Sequence, residues 1–197
     1  KEVPIFQERY QLADVESIAD ADWPKNVGIL SRGTLAVFSY FGSRDFADDH
    51  EIDVHNVKNR EYHHIFPDAL LKEADLNSFY ATNCALITWK TNRIIGRKDP
   101  LVYLQDRIDI ADISVVKERL RSHLIPFELL KKAVYQEDKN GTLVKLQGEE
   151  LQKKLNSEFL EFRIARATLI SIAISDLCAG KKISLDSVWS RYDKMKL

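Results

Sequence analysis

Cysteine is scarce in this chain: Cys84 and Cys178 stand far apart and in no CxxC pair. That excludes a disulfide scaffold and a four-cysteine zinc site, and it fits a reducing cytosol. An excess of either charge is also lacking, since 29 Lys and Arg against 30 Asp and Glu leave a formal net charge of -1. A uniformly basic coat is thereby excluded, and any contact with nucleic acid has to come from a local basic patch. Long apolar runs are missing as well. The most apolar stretch, from Ala165 to Ile174, is too short and too close to Arg163 and Arg166 to span a bilayer. The amino end carries no signal-peptide pattern, so the expectation is a soluble, cytoplasmic protein with no membrane partner. The only methionine is Met195 and the chain opens on Lys1, which predicts a piece of a longer polypeptide with a further domain ahead of it. Neither an internal repeat nor a low-complexity tract is found. What is present, 45% hydrophobic and 30% charged residues over 197 positions, describes one compact domain, or a small core with a helical extension.

Residues 1–60 read as a helical region. Asp14 can cap a helix before Val15, and Leu30, Leu35, Phe38 and Phe41 recur near helical spacing until Gly42. The stretch from Ser43 to Arg60 holds Asp45, Asp48, Asp49, Glu51 and Asp53 and reads as a solvated loop. Over residues 61–104 the pattern changes. A short strand from Tyr62 to Phe66, a break at Pro67, a small helix from Ala69 to Lys72, a second strand from Cys84 to Trp89 and a helix starting near Thr91 make a strand, strand, helix unit. Residues 105–197 are helical again. Segments from Val115 to Leu124 and from Phe127 to Val134 flank Pro126, and a polar hairpin at Asp138 to Gly141 leads into a long helix from Glu149 to Ala179, capped by Gly180. In that helix Leu151, Leu155, Phe159, Phe162, Ala165, Leu169 and Ile172 share one face, while Leu160, Ile164, Ala167, Ile174 and Cys178 form a second, which predicts burial on both sides. Trp189 and Tyr192 belong to a short last helix docking on it. The expected fold is α+β, predominantly helical, with a small ββα unit embedded between helical regions.

Candidate chemistry concentrates in that unit. Tyr62-His63-His64-Ile65-Phe66-Pro67 sets two adjacent imidazoles before a chain-bending proline, and Asn83 and Thr91-Asn92-Arg93 follow. Hydrolysing a phosphodiester takes a deprotonated water and a cation that neutralises charge building on the phosphate and on the leaving oxygen. One imidazole can hold the cation, the other can take a proton from water, and an asparagine on the following helix can close the metal site. Because side chains alternate across a strand, His63 and His64 serve one site only if the backbone bends, and Pro67 is consistent with a strand that breaks there. Asn83 can bond to the turn holding the histidines. Lys90, Arg93, Arg97 and Lys98 have no acid among them until Asp99, and they are the local patch that a neutral overall charge calls for. His50, His55 and His123 lack this context and read as solvated or structural. Trp89 reads as core, and Tyr62 and Tyr103 either stack on sugar or base or pack inward.

These residues resemble the HNH, or ββα-metal, endonuclease motif. Glu61-Tyr62-His63-His64-Ile65-Phe66-Pro67 with Thr88-Trp89-Lys90-Thr91-Asn92-Arg93-Ile94-Ile95-Gly96 is especially similar to the carboxy-terminal nuclease domain of GmrSD-like and SspE-like bacterial antiphage restriction proteins. Arg32, Ser122-His123-Leu124-Ile125-Pro126, Phe159 and Arg166-Ala167 extend the likeness over most of the chain, weakly outside the stretch from Glu61 to Leu104. The resemblance implies that His64 is the general base, His63 and Asn92 the metal ligands, Asn83 the residue that orients the base, and Arg93 and Lys98 phosphate contacts. Aspartate is the commoner residue at the position of His63. Imidazole admits transition metals more readily than carboxylate does, so Mg²⁺ or Mn²⁺ is the first expectation, with Ni²⁺ or Zn²⁺ open. The resemblance further implies a metal-dependent endonuclease that nicks or cleaves double-stranded DNA, nicking first, in bacterial phage defence, with an N-terminal ParB-like nucleotide-binding domain as its partner. Two rivals stay open: a non-catalytic DNA-binding or regulatory module that keeps the HNH shape, and a hydrolase of small phosphoesters, which the length of the basic run disfavours.

Overall fold

A computed structural model describes residues 12–26, 28–53, 55–139 and 142–196. The first eleven residues of the expected amino-terminal helical region and the Asn140-Gly141 tip of the expected hairpin lie outside the described residues. Asp14 accepts a hydrogen bond from Ser17 N at 2.7 Å and caps α1 (Val15–Ala19), and α2 (Ile29–Tyr40) follows. β1 (Arg60–His64) pairs antiparallel with β2 (Cys84–Thr88), with His63 opposite Ala85, and α3 (Asp68–Glu73) lies between them in the chain. α4 (Trp89–Ile95) leaves β2 directly, and the Thr88 hydroxyl accepts from Thr91 N at 3.3 Å as its cap. Next come α5 (Pro100–Ile108), α6 (Ile113–Ser122) and α7 (Phe127–Lys132), then a hairpin of β3 (Gln136–Lys139) with β4 (Thr142–Lys145). α8 (Gly148–Cys178) and α9 (Leu185–Met195) complete an α+β, mostly helical fold with two separate two-stranded sheets. Among the described residues no helix is long and apolar enough to cross a membrane.

α8 runs through two hydrophobic cores. Leu151, Leu155, Phe159 and Phe162 of its first half pack with β1–β2 residues such as Ala85 and Ile87 and with α5, α6 and α7. Ala167, Leu169, Ile170, Ile172 and Ala173 of its second half pack with α1, α2 and the buried Val188 and Tyr192 of α9. The expected second apolar face stays open in part. Leu160 is 49% exposed and Ile164 37%, and both line an open groove with Leu129 of α7 and Tyr192 and Met195 of α9.

The junction of the two cores is polar. Arg166 is fully buried, and its guanidinium makes four hydrogen bonds to three carbonyls: Thr82 O at 2.8 Å, Cys84 O at 2.7 Å, and His123 O at 2.9 and 3.3 Å. The Phe38 ring of α2 lies 4.3 Å from the guanidinium carbon. Burial pulls the Arg166 pKa down to about 9, so the group stays charged near neutrality. One turn earlier, Arg163 donates to Ala19 O at 2.9 Å, pairs with Asp20 and stacks on Tyr80. The two arginines that exclude a membrane span are therefore the clamps that tie α8 to α1, β2 and the α6–α7 turn.

The acidic stretch between α2 and β1 departs from the solvated loop expected of it: Arg44 and Glu51 form an isolated antiparallel bridge, and a 3₁₀ turn follows at Val57–Asn59. Asp45, Phe46 and Ile52 are buried. Asp45 accepts from Thr88 N at 2.6 Å, from the Thr91 hydroxyl and from Ala47 N at 2.9 Å, with the buried Arg60 guanidinium at 3.4 Å. A carboxylate that satisfies backbone N–H groups at the start of α4 is stable inside where a bare one is not. Asp48 and Asp53 accept from amides two and three residues on and so shape surface turns.

His123 is a structural group. It is fully buried, its Nε2–H donates to Arg44 O at 2.7 Å, and its Nδ1 has no partner among the described residues. Burial, reinforced by the charge of Arg166, pushes its pKa down to about 3 from 6.5. The folded chain thus keeps His123 neutral where the unfolded chain takes a proton, and stability falls as pH drops from about 6.5 toward about 3. This site alone should lower stability by on the order of 2 kcal/mol between about pH 6.5 and pH 5. Urea unfolding of His123→Gln at both pH values should show a smaller pH dependence than the parent. Arg166→Met leaves three carbonyls unpaired, and urea unfolding should report a loss of about 3–5 kcal/mol, with no rescue by Arg166→Lys, whose ammonium lacks the planar fork.

Candidate active site

Side chains alternate along β1, so Glu61 and His63 share one face and Tyr62 and His64 the other. The first pair faces α4. His63 is buried, and its Nδ1 lies 2.8 Å from Asn92 Oδ1. Asn92 Nδ2 in turn donates to Glu61 Oε2 at 2.7 Å. A carboxylate only accepts, so Glu61 sets the amide with its NH₂ outward and its oxygen toward His63, whose Nδ1 must then carry the proton. Burial holds the His63 pKa at about 4, the bond to Asn92 opposing it, and the ring is neutral near pH 7.

His64 is the last residue of β1, and its ring lies flat on Trp23, with centroids 4.0 Å apart and planes 11° apart. Phe79 meets the same ring edge-on at 5.2 Å. Burial lowers the His64 pKa, the Asp68 carboxylate opposing it and Lys72 adding to it. After His64 the chain turns. Asn83, fully buried, accepts from Phe66 N at 2.8 Å and donates to Phe66 O at 3.1 Å and Ser78 O at 3.0 Å, and its own carbonyl accepts from Ile65 N at 2.9 Å. That turn lets histidines from opposite strand faces line one cleft of about 210 Å³, with Asn92 and Arg97 in its wall. Gly96, at φ +59, ends α4 in a backbone conformation that favours glycine and brings Arg97 to the cleft.

The basic run divides. Lys90, Arg93, Arg97 and Lys98 are all exposed, but of the four only Arg97 lines the histidine cleft. Arg93 sits 5.2 Å from the Trp89 ring, and Lys98 pairs with Asp106 of α5, an acid that adjacency in sequence does not reveal. Trp89, expected in the core, is 55% exposed. Thr91 and Ile95 form the buried face of α4, and a residue two before Thr91 points about 200° away from it. Tyr103 packs inward, its hydroxyl donating to Ile65 O at 3.1 Å.

Three neighbours of the histidines were not among the expected site residues. Glu61 could have been found from strand alternation, two residues before His63. Trp23 and Phe79 arrive from turns whose place beside β1 no local pattern announces. Among the described residues no three His, Cys, Asp or Glu side chains converge as a metal-binding group. As it stands this pair is an N–H···O hydrogen bond; only with the His63 proton moved to Nε2 would the Nδ1 lone pair and the Asn92 oxygen, 2.8 Å apart, be free to hold a cation that keeps several water ligands.

No family model matches the chain, and neither a curated protein nor a solved structure does. The functional reading therefore rests on the geometry of the site and on the motif residues. The role of Asn83 is testable apart from activity. Asn83→Asp keeps an acceptor for Phe66 N–H but turns an oxygen toward two carbonyls, and urea unfolding should show a loss of about 2–4 kcal/mol. A loss below about 1 kcal/mol, the size of an ordinary hydrogen bond, would mean that the turn does not depend on this amide.

Proposed function

We propose that this domain is a metal-dependent DNA endonuclease of the HNH type. The observation that carries the reading is the meeting of His63 of β1 with Asn92 of α4, on a cleft that also holds His64 and Arg97. His63 and Asn92 would hold a divalent cation, Mg²⁺ or Mn²⁺ first and Ni²⁺ or Zn²⁺ next. When bound, such an ion lends Lewis acidity to the phosphate and to the leaving oxygen.

The chain's own groups supply the rest. His64, neutral near pH 7 because burial lowers its pKa, accepts the proton of the attacking water. Arg97 offers a planar donor to a phosphate oxygen at the cleft wall. Glu61 keeps the Asn92 oxygen turned inward. Asn83 fixes the turn after His64 and does not touch the reacting atoms. Motif likeness is the support for a role in bacterial antiphage restriction, for nicking, and for a ParB-like partner domain. The direct bond between His63 and Asn92 also suits a second reading, a DNA-binding module that keeps the shape without a cation.

Plasmid nicking with Mg²⁺, Mn²⁺, Ni²⁺ or Zn²⁺ against a chelator separates the two readings. The nuclease reading expects cleavage with at least one ion. His64→Ala should then cost about 10²-fold or more in rate while leaving folding and DNA affinity nearly intact. His63→Ala and Asn92→Ala should each weaken Mn²⁺ binding in calorimetry, and His50→Ala should not. Cleavage by His64→Ala at the parent rate removes His64 as the base.

A further inference from the structure

A second cleft, of about 600 Å³, adjoins the first and shares Tyr62, His64 and Asn92 with it. Its character is different. Trp23 backs it, contacting Tyr62 at 6.3 Å, His64 at 4.0 Å and Phe79 at 5.8 Å between ring centroids. Phe79 is 43% exposed and Tyr62 half-buried, and the exposed Lys25, Asn26 and Glu61 complete the wall with the buried Arg60. The first cleft is polar and ends at Arg97; this one has an aromatic back and a polar rim of Lys25, Asn26, Arg60 and Glu61. His64 stands between them.

We infer that the aromatic cleft binds one nucleobase, unstacked from its strand, beside the phosphate that the histidine cleft would take. The inference rests on the nuclease reading and names its substrate: DNA that is single-stranded or locally opened at the cut. A base presents a flat π face, and the open rings of Phe79 and Tyr62 are partners for it whatever the base. Lys25 can meet the neighbouring backbone phosphate, and Asn26 has both a donor and an acceptor for a base edge. A base inside a duplex reaches such a cleft only by leaving the stack, so mismatched, nicked or single-stranded DNA should be preferred.

The test uses a single-stranded oligonucleotide carrying 2-aminopurine in a central run, with a fluorescein at one end, in EDTA so that no cleavage is required. Anisotropy of the fluorescein reports binding, and 2-aminopurine emission reports stacking. The expected result is a change in 2-aminopurine emission at saturation and an affinity for this strand above that for the matching duplex. Phe79→Ala and Tyr62→Ala should each weaken binding by about 5- to 100-fold, the range found for loss of one stacked base. Phe79→Trp keeps a ring and should retain both signals, whereas Phe79→Leu keeps apolar bulk without a ring and should lose the emission change. Saturation without an emission change, duplex bound at least as tightly as single strand, or equal signals from Phe79→Leu and Phe79→Trp would each overturn the proposal. Plasmid nicking decides the nuclease reading separately. Nicking without the stacking signal removes the base subsite alone, and the stacking signal without nicking in any metal removes the nuclease reading alone.

Discussion

A buried guanidinium with no carboxylate partner among the described residues is the constraint around which the domain is arranged. Arg166 exchanges its hydration for carbonyls of Thr82, Cys84 and His123, and a charge in the interior persists only where such donors and acceptors are matched. The consequence reaches the candidate site through short links. Thr82 and Cys84 flank Asn83, Asn83 holds Phe66 by both of its backbone groups, and Phe66 lies two residues after His64. The long helix thus positions the turn beneath the histidines without contributing a side chain to the cleft. A site held this way has its geometry determined by the rigid elements and not by the loop that carries it.

Asp45 plays the matching part on the other side. It bonds the backbone at the end of β2 and the hydroxyl of Thr91 in α4, and it neutralises Arg60 at the start of β1. Strand, strand and helix are therefore fastened together by one carboxylate from outside the unit. The amino-terminal region supplies both this anchor and Trp23, on which His64 lies.

The features readable from sequence are those with a local cause. The two strands, a break near Pro67 and the small α3 follow from alternation and Pro67, although β1 starts at Arg60 and ends at His64, two residues before the expected Phe66; α8 and its end follow from period and Gly180. The pairing of His63 with Asn92 could be anticipated only as a motif, since the two are brought together by strand register and by the direct exit of α4 from β2. What stayed hidden depends on distant partners. Asp45 and Arg60 cancel each other inside, so counting acids misread the loop. Lys98 meets Asp106 only because α5 folds back, and α5 itself, opened by Asp99-Pro100, was obscured by the charged residues around it. Leu160, Ile164 and Trp89 are apolar without being covered, which periodicity alone does not distinguish from burial.

The flat contact between Trp23 and His64 has a consequence for timing. An exposed imidazole samples several side-chain rotamers and must lose that freedom each time it meets a ligand in one fixed orientation. A ring lying 4.0 Å from an indole, with a phenyl edge across it, has given up most of that freedom when the chain folds. Its orientational entropy is lost once, at folding, and is not lost again when a ligand or a proton meets the ring.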